Sequence, residues 1–461
     1  MIEVVTIDTQ SLGDRTYLVT DGVSALVIDP QRDVDRVFAA AAAQGVAVTD
    51  VFETHIHNDY VSGGLAIARR SGASYYVNAA DPVAFNRVGI TDGDIITVGQ
   101  SMRVRVMATP GHTFTHLAYA LQDAVTGEWV AVFTGGSLLY GSTGRPDLLG
   151  SQHTRRLATA QHASARRLAQ ALPDQSAVYP THGFGSFCAA TTSAGRSVST
   201  IGQEKESNPA LTLAADSYVA TLVAGLDDYP AYYAHMAPLN RAGPDTADLA
   251  PPAPVTADDL DRRIAAGEWV VDLRHRRDFA AGHVAGSVSF EFGNSFATYL
   301  GWLIPWGAPL TLIGETGAQI AAAQRDLSRI GIDRLAGAAV TSSPDWPAVG
   351  PLATYSVSDF AGLAAERDRQ DIVILDVRRT AERAGGYIEG SRHVPLHELP
   401  ARMLGLPRRP VWVHCQGGYR ASIAASLLHA AGHEVTAIDA DFGTAAGAGL
   451  ALSRSRQKRA A

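Results

Sequence analysis

Only two of the 461 residues are cysteine, Cys188 and Cys415, so no disulfide framework supports this chain, and such usage fits a reducing cytosol. Lysine is almost missing: it occurs at Lys205 and Lys458, and the other basic residues are arginine. Neither the 18% of charged residues nor the net charge of −8 forms a basic face, which argues against nucleic acid as a ligand. No apolar run reaches the roughly 18–20 residues that a membrane span requires, so no membrane partner is expected. The opening MIEVVTIDTQSLGDRTYLV has neither the basic start nor the apolar stretch of a signal peptide. These absences lead to the expectation of a soluble cytoplasmic protein, with about three domains on a prior of ~150 residues each.

The first ~200 residues alternate short β-branched runs with helical stretches, the pattern of a layered α/β domain. Strands are expected at 2–7, 16–21, 24–29, 51–55, 74–79, 103–109, 116–122, 129–135 and 177–182, and helices over 34–44 and 154–172. His55, His112 and His182 each fall at the C-terminal end of such a strand, where residues distant in sequence can share one site. Residues 204–244 read as a helical, aromatic extension. LAPPAPVT (249–256) and SSPDWPAVGPL (342–352) read as proline-rich boundaries. After the first boundary comes an internal repeat. Asp272, Arg274, Gly282 and Gly286 match Asp376, Arg378, Gly386 and Gly390 at one offset of 104, and LTLIGETGAQ (310–319) matches VWVHCQGGYR (411–420) at an offset of 101. The expected division is therefore 1–248, with its core in 1–200, then 255–345 and 354–455.

In the second copy, VWVHCQGGYRASIAASLLHAAG reads as a strand, a short loop and a helix. Cys415 opens the loop and Arg420 closes it, with Gln416, Gly417, Gly418 and Tyr419 between them. Two glycines let the backbone curl so that N–H groups face the sulfur, and the helix start adds its positive dipole end. With Arg420, that environment is expected to stabilise a thiolate or persulfide anion, as a sulfur-accepting nucleophile requires. A buried structural cysteine is the alternative. A phosphatase-type loop needs one more residue between Cys and Arg than this loop has.

CQGGYR, with the upstream LDVR and GYIEGSRHVP, resembles a rhodanese (sulfurtransferase) domain. The resemblance implies that Cys415 accepts a sulfane sulfur, becomes a persulfide and passes the sulfur on. The first copy keeps VVDLR and GHVAGSV but has Gly314 and Gln319 at the Cys and Arg positions, so it resembles a non-catalytic rhodanese domain. His283 in that copy is read as structural.

THIHND (54–59), TPGHT (109–113) and YPTHGFGSFC (179–188) resemble the metallo-β-lactamase fold, and with VFTGG and GRPDLLG its persulfide dioxygenase branch. The fold implied is α/β: an αββα sandwich followed by two rhodanese-like domains with central parallel sheets. His55, His57 and His112 would form a three-imidazole site suited to Zn(II) or Fe(II), with Asp59 and His182 serving an adjacent position. Tyr60 removes the last imidazole of the H-x-H-x-D-H pattern, and Gly136 stands where the resemblance places an Asp that ligates iron. Ser137, beside it, is a poor substitute, so no bound metal at all is the alternative. Arg145 and Asp147 are read as a structural pair or a substrate contact, Cys188 as a buried hydrophobe or a sulfur relay, and His116 as packing beneath the site.

The leading expectation is a sulfur-handling enzyme whose Cys415 exchanges sulfane sulfur with thiosulfate or a low-molecular-weight persulfide such as glutathione persulfide, coupled to a persulfide dioxygenase-like domain that releases sulfite. A sulfurtransferase with a non-catalytic N-terminal domain and a non-catalytic sulfane-sulfur sensor or carrier are the alternatives, with a glyoxalase II-like zinc hydrolase last. A homo-oligomer is expected.

Overall fold

In the computed structural model, residues 2–190, 197–333, 335–342, 352–367 and 371–454 are described. Most of the second expected boundary, 342–352, lies outside them. The chain divides into two compact units, Met1–Asp248 with Asp326–Gly331, and the remainder from Leu249.

The first unit is built on two six-stranded sheets. One runs in chain order through Glu3–Thr9, Asp14–Thr20, Ser24–Ile28, Ala47–Phe52, Ser74–Asn78 and Val88–Ile90. The other orders Ser199–Thr200, Ala177–Pro180, Trp129–Gly135, Leu117–Asp123, Met102–Ala108 and Ile95–Val98. Side chains alternate across the central strands, so each sheet buries residues on both faces with a period of two. Tyr17, Val19, Leu26 and Ile28 enter a core shared with Val104, Val106, Tyr119 and Phe133 of the other sheet. Leu18, Ala25 and Val27 point the opposite way, into the layer holding Val37 and Ala41 of helix Asp35–Gln44 and Leu65 of helix Gly64–Ser71. Helices Thr154–Ala171 and Ala215–Ala224 cover the second sheet through Ala165, Leu168, Val219 and Leu222. The result is an αββα sandwich. Strands Val88–Ile90 and Ile95–Val98 were not among those expected; they are short and half exposed, so their apolar signal is weak.

The second unit holds two parallel sheets with the same plan, besides the antiparallel pair Tyr387–Ile388 and Leu452–Ser453. In the first repeat Trp269–Asp272 pairs in parallel with Leu310–Gly314 on one side and Val288–Ser289 on the other. In the second, Val373–Asp376 pairs in parallel with Val411–His414 and with Arg392–His393. Each central strand ends in an Asp that anchors the Arg two residues on. Arg274 Nη2 donates to Asp272 at 2.7 Å and to the Gly282 carbonyl at 2.8 Å. Arg378 Nη2 donates to Asp376 at 2.8 Å and to the Gly386 carbonyl at 2.7 Å. Gly286 and Gly390 both take left-handed backbone, at φ 85° and 81°, which explains why each copy needs glycine there.

Candidate active sites

The histidines gather in the loops that follow the strands. The strand before His55 ends at Phe52, three residues earlier than expected, and residues 53–60 form a buried loop. Asp29 anchors this loop. It is the one non-glycine residue with positive φ (50°) among the described residues. Its carboxylate accepts the Thr54 N–H and hydroxyl, each at 2.7 Å, and the Thr181 hydroxyl, tying three segments together. Asn240, on helix Tyr233–Ala242, donates to the carbonyls of His57 (3.0 Å) and Tyr60 (2.9 Å) and accepts the Ser62 N–H.

The structure groups the expected ligands differently from the expected partition. His182, rather than His57, joins His55 and His112, with one ligand atom of each lying within 4.8 Å of the others. His57 groups instead with Asp59 and His182, and separately with Asp29 and Glu53. The rings are oriented from behind. His112 Nδ1 faces the Arg145 carbonyl at 2.8 Å, His55 Nδ1 faces the Thr54 hydroxyl at 2.9 Å, and His182 Nδ1 faces Asp14 at 2.9 Å. The His55 and His182 Nε2 atoms lie 3.5 Å apart. Such backing leaves the inward nitrogens free to ligate.

Burial, reinforced by its imidazole neighbours, holds His55 well below its ordinary range; burial also lowers His112 to about 3, so both are neutral donors. Burial opposes charge on His57 as well, but Asp29 and Glu53 raise it to about 9. His182 is likewise raised against burial, by Asp59 and Asp14. Asp59 is held low by His182 against its burial, whereas burial and the neighbouring Asp59 push Asp14 up to about 7. His112 Nε2 and His57 Nδ1 are buried without a hydrogen-bond partner, and the buried Asp59 carboxylate, its Oδ2 3.1 Å from His182 Nδ1, accepts no well-aligned hydrogen bond. Orphaned lone pairs on imidazole and carboxylate in one closed site fit a divalent metal, whose binding would displace the extra protons.

Gly136 is explained by packing. A Cβ there would lie 2.4 Å from His112 Cδ2, and one on Gly144 would lie 2.7 Å from His112 Nδ1. The imidazole occupies the space a side chain at 136 would need. Ser137 turns away to the Thr134 carbonyl at 2.8 Å. The Tyr60 ring stacks on His57 at 4.2 Å, and its hydroxyl lies 2.9 Å from His57 Nε2. His116 lies beneath, its Nε2 accepting the Gly136 N–H at 3.0 Å. Arg145 and Asp147 form a two-bond ion pair, each bond 2.7 Å. Cys188 is fully buried against Asp59 and Tyr233, and burial with the nearby carboxylates raises its thiol pKa.

The second candidate site is the loop after Val411–His414. Cys415 is 2% exposed, and the Gly418 N–H donates to its Sγ at 3.2 Å. Gln416 is tied down by the Phe442 N–H, which donates to its carbonyl at 2.8 Å. Helix Tyr419–Ala430 starts directly after Gly418. The Arg420 guanidinium makes a two-bond pair with Glu382, at 2.5 and 2.7 Å.

Residues 15–182 match the metallo-beta-lactamase superfamily, and residues 359–443 match the rhodanese-like domain family. The chain carries a metallo-β-lactamase-fold domain and, after it, a rhodanese-like domain. Its N-terminal part is similar to hydroxyacylglutathione hydrolase from Polaromonas sp., 28% identical over 229 residues, covering 45% of this chain and 83% of that protein. The hydroxyacylglutathione hydrolase of Acidiphilium cryptum is 36% identical over 110 residues, covering 23% of this chain and 44% of that one. The match spans about half the length of several such relatives. A crystal structure of a metallo-beta-lactamase from Staphylococcus aureus superposes with TM-score 0.65 at 26% identity, over 73% of this chain and 98% of that one. ETHE1 from Myxococcus xanthus is 29% identical with TM-score 0.45, over 52% of this chain and 98% of that one.

Sequence reasoning missed Asp14, Asp29, Glu53 and Asn240 in the metallo-β-lactamase-fold domain and Glu382 in the rhodanese-like domain. Glu382 had a usable signal, because a half-buried Arg420 demands a counter-ion. Asp14, Asp29 and Asn240 lie far from the histidine motifs and carried none, and Glu53, directly before THIHND, falls outside the alternating ligand pattern.

Proposed function

We propose that this protein is a sulfur-handling enzyme whose Cys415 carries sulfane sulfur. The observation that carries this reading is the loop geometry: a buried thiol, a backbone N–H at 3.2 Å from Sγ, and a charged Arg420–Glu382 pair at the loop's end. The Cys415 thiolate attacks the outer sulfur of thiosulfate, the S–S bond breaks, and sulfite leaves with the electron pair. An acceptor nucleophile such as cyanide or a thiol then attacks the outer sulfur of the persulfide, which restores the thiolate. The first repeat is a rhodanese-like domain without a thiol, since Gly314 stands at the Cys415 position.

In the metallo-β-lactamase-fold domain, His55, His112 and His182 would hold a divalent metal, with His57 and Asp59 adjacent. Iron there would supply O₂ chemistry on a low-molecular-weight persulfide, and zinc would supply a hydrolytic water. Asp14, Thr54 and the Arg145 carbonyl orient the rings, and the buried loop excludes bulk water. Wild-type protein should form thiocyanate from thiosulfate and cyanide, and Cys415→Ser should abolish it; a variant that keeps the activity would overturn the reading.

A second reading is favoured by the hydroxyacylglutathione hydrolase relatives: hydrolysis of a glutathione thioester by the N-terminal domain. Tyr60 and Gly136 weigh against it. Turnover of S-lactoylglutathione by metal-loaded Cys415→Ser protein would establish it.

A further inference from the structure

Resting on that reading of Cys415, we infer that the thiol-less first repeat braces the sulfur-carrying loop through Arg276 and Arg277, which clamp Asp439 behind Gly418. Gly418 supplies the N–H that meets Cys415 Sγ, and its backbone is left-handed at φ 91°. A Cβ on Gly418 would lie 2.2 Å from Asp439 Oδ1 and 3.1 Å from Asp439 Cα, so Asp439 packs directly on the loop backbone. Asp439 is 7% exposed, and its own N–H donates to the Ser358 carbonyl at 2.9 Å. Three residues on, the Phe442 N–H holds Gln416. The segment 439–442 therefore supports the loop at two points.

The clamp on Asp439 comes from the other copy. Arg276 Nε donates to Asp439 Oδ1 at 2.8 Å, and Arg277 Nε donates to Oδ2, so each carboxylate oxygen is taken by a different arginine. Arg276 is itself held by Glu291, at 2.6 Å. Both arginines open the helix Arg276–Ala281 of the first repeat. Two further contacts make the same join: the Tyr419 hydroxyl donates to the Glu291 carbonyl at 3.2 Å, and the Ser289 N–H donates to Ser426 Oγ at 2.9 Å. A two-point charge-assisted grip restricts the rotation of a carboxylate far better than one bond does. A copy that has lost its own thiol thus retains a function, as the support of its neighbour's loop. Arg276, Arg277 and Asp439 are positioning residues, and none of them touches the sulfur.

The test uses the full chain with Arg276→Gln/Arg277→Gln, Asp439→Asn, the combined triple variant and the conservative Arg276→Lys/Arg277→Lys. Two readouts apply: thiocyanate formation, and the rate at which iodoacetamide alkylates Cys415, followed by peptide mass. A loop loosened by an ångström loses about tenfold or more in rate. The Gln pair should lower kcat about tenfold with KM for thiosulfate unchanged, and change the alkylation rate in parallel. The triple variant should be no worse than the Gln pair, and the Lys pair should recover most of the activity. Folded Gln-pair and Asp439→Asn proteins with kcat and alkylation within twofold of wild type would overturn the brace; if the Gln pair does not fold, Asp439→Asn decides alone. Failure of wild type to transfer sulfur would overturn the sulfurtransferase reading, while the alkylation comparison would still judge the brace.

Discussion

The two repeats of the second unit differ at most positions yet share a frame. Both end the central strand in Asp, anchor the following Arg, and reach the same glycine carbonyl, at 2.8 Å in one and 2.7 Å in the other. They part at the loop. In the second copy Arg420 leaves the loop to meet Glu382, and Cys415 is an unbridged, buried thiol that accepts the Gly418 N–H. In the first copy Gln319 folds back on its own loop, its Oε1 accepting the Glu315 N–H at 2.8 Å and its Nε2 donating to the Leu273 carbonyl at 3.3 Å. Asp278, at the position of Glu382, is one methylene shorter. The frame answers to packing, and chemistry depends on a few loop residues that can be lost without disturbing it.

That comparison can be broken by trying to move the chemistry. Gly314→Cys/Gln319→Arg in a Cys415→Ser background should transfer sulfur at no more than roughly 1% of the wild-type rate, because Asp278 is too short to hold the new arginine as Glu382 holds Arg420. Thiocyanate formation comparable to wild type would show that the two residues suffice.

It can be sharpened at the ion pair. Glu382→Gln should lower kcat/KM by about tenfold, the scale of a lost charge-assisted hydrogen bond. Burial tends to raise the Glu382 carboxyl, but Arg420 overcomes this and holds it below its ordinary range. A carboxyl lowered in the folded state contributes stability above its unfolded pKa of about 4.3 and loses it as pH falls through the folded value. Wild type should therefore lose stability relative to Glu382→Gln as pH falls through and below about 4.3, read as the difference in urea midpoints.

A further effect, on stability and metal content rather than on sulfur transfer, is expected in the metallo-β-lactamase-fold domain. Gly136→Ala places a methyl against His112 and should cost about 1–3 kcal/mol of stability with a lower metal content, read by thermal melting and elemental analysis. An unchanged metal content would show that His112 has room to shift.

The sandwich and the repeat were legible because strand alternation and helix period are local, and because one offset of 104 joins four residue pairs. The thiol loop was legible because its parts are contiguous. The histidine site was only partly so. Its five candidate ligands were visible, but their grouping depends on how loops fold, and His182 takes the place expected of His57. Asp29 illustrates the difficulty: it is an ordinary Asp in sequence, and only its φ of 50° and its three hydroxyl and amide partners reveal it as the knot of the site. Gly136 offers no ligand, and the structure adds that the His112 imidazole lies on the space a side chain there would need.

The most direct test of the central claim is the mass of the Cys415 peptide after wild-type protein has been incubated with thiosulfate. Cys415 should gain one sulfur atom, removed by cyanide with release of thiocyanate. A Cys415 peptide that stays unmodified while the protein still forms thiocyanate would contradict it.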